Sequence, residues 1–83
     1  MIKVVFLASV RERLNCTEMP FDTGRAEISV TELVELLALR GELWRQVLLD
    51  DRVLVAVNQQ MSRADVLIRD GDEVAFFPPV TGG

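Results

Sequence analysis

The residues best placed to do chemistry are the last two, Gly82 and Gly83. They leave a main-chain carboxylate with no side chain near it. Such an end can enter a channel too narrow for any Cβ, and its carboxylate can meet a reagent without steric hindrance. The segment leading to it reads Asp70-Gly-Asp-Glu-Val-Ala-Phe-Phe-Pro-Pro-Val-Thr-Gly-Gly. Pro78 and Pro79 halt a strand, because neither donates a ladder hydrogen bond and both fix φ. Val80 and Thr81 then carry the chain outward. Domains usually end in frayed polar residues, whereas this end looks prepared for use. The expected division is a domain over residues 1–79 and a tail over 80–83, with the chemistry on the carboxylate of Gly83.

Little else in the chain could react. There is no histidine or tyrosine, one cysteine (Cys16) and no Gly-rich phosphate loop. Nucleophile–base dyads and ordinary transition-metal sites are therefore nearly unbuildable from side chains. The 13 carboxylates are scattered rather than spaced as a calcium loop, so no metal site is assigned. Cys16 has no basic neighbour in sequence closer than Arg13 and reads as incidental.

The 83 residues suffice for one small domain, and 49% apolar content suffices for its core. A single cysteine excludes an internal disulfide and fits a reducing cytosol. The opening Met1-Ile-Lys-Val-Val-Phe-Leu-Ala is too short and strand-like for a signal peptide. No apolar run approaches a membrane span. Thirteen acidic against nine basic residues disfavour nucleic acid and favour a partner with a positive surface. A cytoplasmic protein binding neither membrane nor nucleic acid is expected.

The elements that must hold the tail are legible from their periods. Residues 2–7 alternate as a strand, and Ser9 to Leu14 suggest a helical turn. Residues 15–25 contain Pro20, Asp22 and Gly24 and read as a loop. Ala26 to Ile28 suggest a short strand. Ser29 and Glu32 form a Ser-x-x-Glu capping box, opening a helix with the stripe Val30, Leu33, Val34, Leu37. Gly41 reads as its C-terminal stop. A second helical piece spans 42–49, with Trp44 at helical spacing to Val47 and Leu48 and read as core or helix-edge packing. Strands follow at 53–58, 66–68 and 73–77, with a polar stretch at 59–65 and a tight turn at Asp70-Gly71. Strands at both ends around a helix predict an α+β fold, a sheet packed on one main helix.

Alternation places Ile2, Val4, Phe6, Val74 and Phe76 against that helix. Val5, Leu7, Ala75 and Phe77 then face away from it. A sheet covered on one side should alternate apolar with polar residues, yet both strands are apolar on both faces. Either loops lie over the second face, or it is a patch for a partner. The tail beside it favours docking.

The C-terminal fourteen residues, with Ile2-Lys-Val-Val-Phe-Leu-Ala, Val10-Arg-Glu and Ala56-Val-Asn-Gln, resemble the small subunits of molybdopterin synthase. These are ubiquitin-like sulfur carriers. The resemblance covers essentially the whole chain and implies a β-grasp fold, a mixed sheet of four to five strands on one main helix plus short helical turns. It implies that an ATP-dependent, E1-like activating enzyme adenylates Gly83 and that sulfur transfer makes a thiocarboxylate there. The charged tail then enters the large subunit of a two-protein synthase and donates sulfur to a pterin precursor. Two transfers build the dithiolene that later holds molybdenum. Gly82 keeps the tail narrow, while Thr81 and Val80 make backbone contacts in the channel. Matching positions for docking are Leu7, Met61 and Phe77, Leu7 being aliphatic where the family can carry an aromatic. No bound cofactor is implied, and the catalytic side chains are expected on the large subunit. Two small subunits on a dimeric large one are suggested.

Arg11 and Arg13 read as solvated charge, with contact to the activating enzyme as the alternative. The acidic cluster Asp70, Asp72, Glu73 is explained by turn chemistry, with steering of a basic partner as the alternative. Four functions compete: a molybdopterin sulfur carrier; a carrier for thiamine thiazole or tRNA thiolation; a modifier forming isopeptide bonds; and an interaction module without chemistry.

Overall fold

The structure is a computed structural model that describes residues 1–63 and 65–79. Strand β1 (Ile2–Phe6) alternates as expected, with Ile2, Val4 and Phe6 buried and Lys3 exposed. Helix α1 (Ala8–Leu14) follows at once and buries Val10 and Leu14. Then come β2 (Glu18–Phe21), β3 (Glu27–Ser29), α2 (Val30–Ala38) and α3 (Glu42–Leu48). The chain closes with β4 (Leu54–Val57), β5 (Gln60–Met61), β6 (Leu67–Arg69) and β7 (Glu73–Phe77).

Five strands form one sheet in the order β2-β1-β7-β4-β5, while β3 and β6 pair separately. The central pair β1 and β7 is parallel and the other neighbours are antiparallel. This is the expected α+β arrangement. The core lies between the sheet and the helices, where Val4, Phe6, Val74 and Phe76 meet Leu33, Leu37, Val47 and Leu48. The Phe6 ring stacks on Phe76 at 5.9 Å and meets the Trp44 edge at 5.5 Å. Arg40 lies over that indole, 4.6 Å from its centroid. Trp44 is therefore helix-edge packing with a cation–π cover.

The capping box is realised in full. Ser29 Oγ accepts from the Glu32 amide at 3.1 Å, and Glu32 Oε1 accepts from the Ser29 amide at 3.2 Å. Arg25 pairs with the other Glu32 oxygen, and these bonds, Arg25 first, hold the Glu32 pKa below its ordinary value.

Three expectations need correction. Gly41 does not stop α2, which ends at Ala38 with Leu39 as its cap. It is the N-cap of α3, at φ +153, a conformation that L side chains rarely adopt. The glycine permits the sharp corner between the helices. Second, the loop predicted over 15–25 contains strand β2. Pro20 suggested a loop, but it pairs opposite Lys3 on an edge strand. Phe6 donates to Thr17 at 2.8 Å, which makes Phe6, Val4 and Ile2 the hydrogen-bonded positions of this ladder. Pro20 therefore sits at a non-bonded position, where its missing N–H would point off the sheet.

Third, the polar stretch from Gln59 contains β5. Asn58 and Gln59 both have positive φ, 51 and 67, and form a two-residue hairpin of the type whose twist suits paired strands. Glycine usually marks such a turn, and its absence hid this one. The strand expected at 66–68 occupies Leu67–Arg69.

Candidate functional site

Pairing registers fix which side chains share the face turned away from the helices. Val5 stands beside Ala75, Ala75 opposite Ala56, and Ala56 opposite Met61. One row thus crosses four strands. Phe77 stands opposite Leu54 in the next row. Leu7 continues β1 in extended conformation and donates to the Phe76 carbonyl at 3.0 Å, just as Lys3 donates to Asp72. That last rung puts Leu7 beside Phe77. The three predicted docking residues Leu7, Met61 and Phe77 therefore lie on one face, with Leu54 and Ala75 between them.

Leu7 is 41% exposed, Met61 65%, and Phe77 half-buried. None of the described secondary-structure elements covers this face. It is an apolar surface with Leu7 and Met61 exposed. Its lower part is ionic: Lys3 Nζ lies 3.2 Å from Glu18 and 3.9 Å from Glu73. Exposed pairs of this kind contribute little to stability, but they bound the apolar rows.

Asn58 holds this face in register and was missed as a site residue. Its amide donates to the Glu73 carbonyl at 2.7 Å, and its side chain accepts from the Glu73 amide at 3.0 Å. Its Nδ2 donates to Asp72 Oδ1 at 3.0 Å. The β4–β5 hairpin that presents Met61 is thereby clamped to β7. The second Asp72 oxygen accepts from the Arg69 amide at 2.9 Å, closing the turn through Gly71 at φ +88. These bonds, that from Arg69 first, lower the Asp72 pKa. The acidic cluster is thus used by the turn. The sequence signal for Asn58 was the Asn-Gln pair itself, placed after an apolar run too uniform to reveal its faces. Leu54 was missed for the same reason.

Beyond the patch, the chain leaves β7 through Pro78 and Pro79 along a cavity of about 190 Å³ beside Arg13 and Arg52. Val80, Thr81, Gly82 and Gly83 lie outside the described residues. Cys16 is half-buried, with its thiol toward the Glu18 carbonyl at 3.8 Å. Among the described residues no cluster of three metal-ligating side chains occurs, and no helix is long and apolar enough to cross a membrane.

An apolar open face beside a Pro-Pro exit is the geometry that the sequence resemblance implies, and comparison with known proteins decides the family. Residues 4–83 match the ThiS family. The chain belongs to that family. It is 45% identical to the molybdopterin synthase sulfur carrier subunit of Escherichia coli, with 100% of both chains covered. Its fold is that of SAMP1 from Haloferax volcanii, at a TM-score of 0.79 and 22% identity over 99% of this chain and 98% of that one. A further fold neighbour, at a TM-score of 0.67 and 20% identity over 99% of this chain and 97% of the other, comes from Helicobacter pylori. That structure is a complex of subunits 1 and 2 of molybdopterin-converting factor. The ubiquitin-like β-grasp expectation is met by these neighbours and by the mixed five-stranded sheet.

Proposed function

We propose that the chain is the sulfur carrier of a molybdopterin synthase and acts through the carboxylate of Gly83. The observation that carries this reading is the 45% identity over the whole chain to a carrier of that name. The open apolar face beside the tail's root supports it.

The chemistry follows from the weakness of a carboxylate as an electrophile. A Gly83 oxygen attacks the α-phosphorus of ATP on an activating enzyme, and pyrophosphate leaves. The resulting acyl-adenylate has AMP as a good leaving group. Hydrosulfide from the sulfur source then attacks the carbonyl carbon, AMP departs, and loss of the sulfur-bound proton leaves a thiocarboxylate. The chain contributes no acid or base to these steps. Its own part is to offer an unhindered acyl carbon, with Gly82, Thr81 and Val80 narrow enough to thread, and to dock through Leu7, Met61 and Phe77. The large subunit is the docking partner and supplies the catalytic groups that complete sulfur transfer to the pterin precursor. A cytoplasmic location fits the free thiol and the activating enzyme's need for ATP.

The deciding experiment is intact-mass analysis after incubation with activating enzyme, ATP and a sulfur source. One oxygen replaced by sulfur, localised to the Gly83 peptide, is the expected result. No mass gain, with the enzyme active on another carrier, overturns the reading. Replacing Gly83 by a bulkier residue is expected to abolish transfer while circular dichroism stays unchanged. Copurification of a large subunit, rather than a thiazole synthase or a ladder of conjugates, identifies the acceptor.

A further inference from the structure

The cavity at the root of the tail is more than a gap between elements. Val10 and Val47, 3% and 1% exposed, line it as an apolar floor. Arg13, Asp50 and Arg52 line it with charge, and Pro78 and Pro79 form its border with the outgoing chain. The carboxylate of Asp50 is already occupied. Arg52 grips it through Nε at 3.1 Å and Nη2 at 2.9 Å, and the Arg52 amide donates at 2.9 Å. The Asp50 pKa falls to about 2, chiefly through the Arg52 side chain and least through Arg13. Arg13 acts on Asp50 by charge at a distance and makes no ion pair among the described residues. Two guanidinium groups against one carboxylate leave this mouth positive, on a chain whose net charge is −4.

The position of this charge carries the inference. Arg13 belongs to α1, which starts directly after the docking residue Leu7. Pro78 directly follows the docking residue Phe77. The cavity mouth therefore adjoins the exit of the tail, and its borders at Ser9 and Pro78 lie within two residues of Leu7 and Phe77 along the chain. A partner that covers Phe77 and takes up the residues beyond Pro79 passes the mouth, which Pro78 and Pro79 border. Resting on the sulfur-carrier reading, we infer that the cavity is a second anchor for the large subunit, receiving an Asp or Glu side chain of that partner at Arg13. Arg52 stays engaged with Asp50 and orients the site. Arg13 and the Arg52 side chain are exposed, so the pairing is of the kind that salt screens. The anchor fixes where the tail enters, which the apolar face alone does not.

Calorimetric titration of the full chain into its cognate large subunit tests this. At about 50 mM salt, Arg13→Glu is expected to weaken binding about tenfold or more, and Arg13→Lys to stay within about threefold of the parent. At about 300 mM salt the gap between Arg13→Glu and the parent narrows. Arg13 is exposed in the last turn of α1, so the variant is expected to fold, and circular dichroism checks it. The loss should persist in a chain shortened by residues 80–83. Disappearance of the effect on shortening makes the chain's own terminal carboxylate the occupant and overturns the inference. So does Arg13→Glu binding within twofold of the parent while Phe77→Ala binds weakly, a result that leaves the sulfur-carrier reading standing. Failure of the parent chain to bind the large subunit overturns both.

Discussion

The two faces of the five-stranded sheet are built from the same kinds of residue yet serve opposite ends. Along β7, Val74 and Phe76 are fully buried, whereas Ala75 and Phe77, one position away, are half-buried. The inner face is closed by α2 and α3, which bring Leu33, Leu37 and Val47 to complete burial. The outer face has no such cover among the described residues, and short side chains such as Ala56 and Ala75 stand between its larger ones. Apolar character alone thus does not tell a core from a docking surface. What distinguishes them is whether the chain has an element to spare for the covering layer. This domain spends its helices on one side and leaves the other uncovered among the described residues.

Neighbouring substitutions can break that contrast. Phe76→Ala removes a ring stacked on Phe6 in the closed core, and is expected to cost about 3–5 kcal/mol of stability. In a domain this small that approaches the whole margin, and urea unfolding should show a largely unfolded chain. Unaltered stability would mean that the inner face is not the core. Phe77→Ala, one residue on, should do the reverse. It should weaken binding to the large subunit by about 2 kcal/mol or more while costing less than about 1 kcal/mol of stability. Unchanged affinity by calorimetry would remove Phe77 from the docking surface and leave its exposure unexplained.

Asn58 tests whether the outer face needs a separate frame. Asn58→Ala loses both side-chain bonds to Asp72 and Glu73 and strains a position at φ 51. About 1–2 kcal/mol of stability should go with it, read from the urea midpoint. Affinity for the large subunit should fall as well, because Met61 is no longer held beside Ala56. A variant that loses stability but binds normally would separate the hairpin from docking.

The smallest effect expected is that of acid. Asp50 and Asp72 have pKa values below the ordinary 3.8, the former at about 2. A carboxylate with a lowered folded-state pKa stabilises the fold above its unfolded value, and that contribution vanishes as pH falls through the folded one. The urea midpoint should therefore hold steady above about pH 5 and decline between about pH 4 and pH 2. Asp50→Asn should flatten part of that decline. An identical slope would assign the acid sensitivity elsewhere.

The helix start at Ser29, the last strand at 73–77 and the inward set Ile2, Val4, Phe6, Val74 and Phe76 were all legible in the sequence. Each rests on a local rule, a cap geometry or a period of two, that neighbouring residues suffice to satisfy. The corrections arose where a local signal was overridden from afar. Pro20 is compatible with β2 only because that strand lies at an edge and in a register that turns its nitrogen outward. Gly41 could end one helix or begin the next, and the corner between α2 and α3 chose the second.

By itself, then, the sequence determined most of the elements, the inward faces of the first and last strands and the family through its C-terminal signature. It did not determine which distant residues meet. Leu7, Met61 and Phe77 are scattered along the chain and become one surface only because β1 pairs in parallel with β7, and β7 with β4. The meeting of Arg13 with the Asp50–Arg52 pair beside Pro78 likewise depends on α1, α3 and β7 ending at the same edge of the domain. Periodicity is a property of neighbours in the chain, whereas adjacency across strands and between helix ends is set by the packing of the whole core.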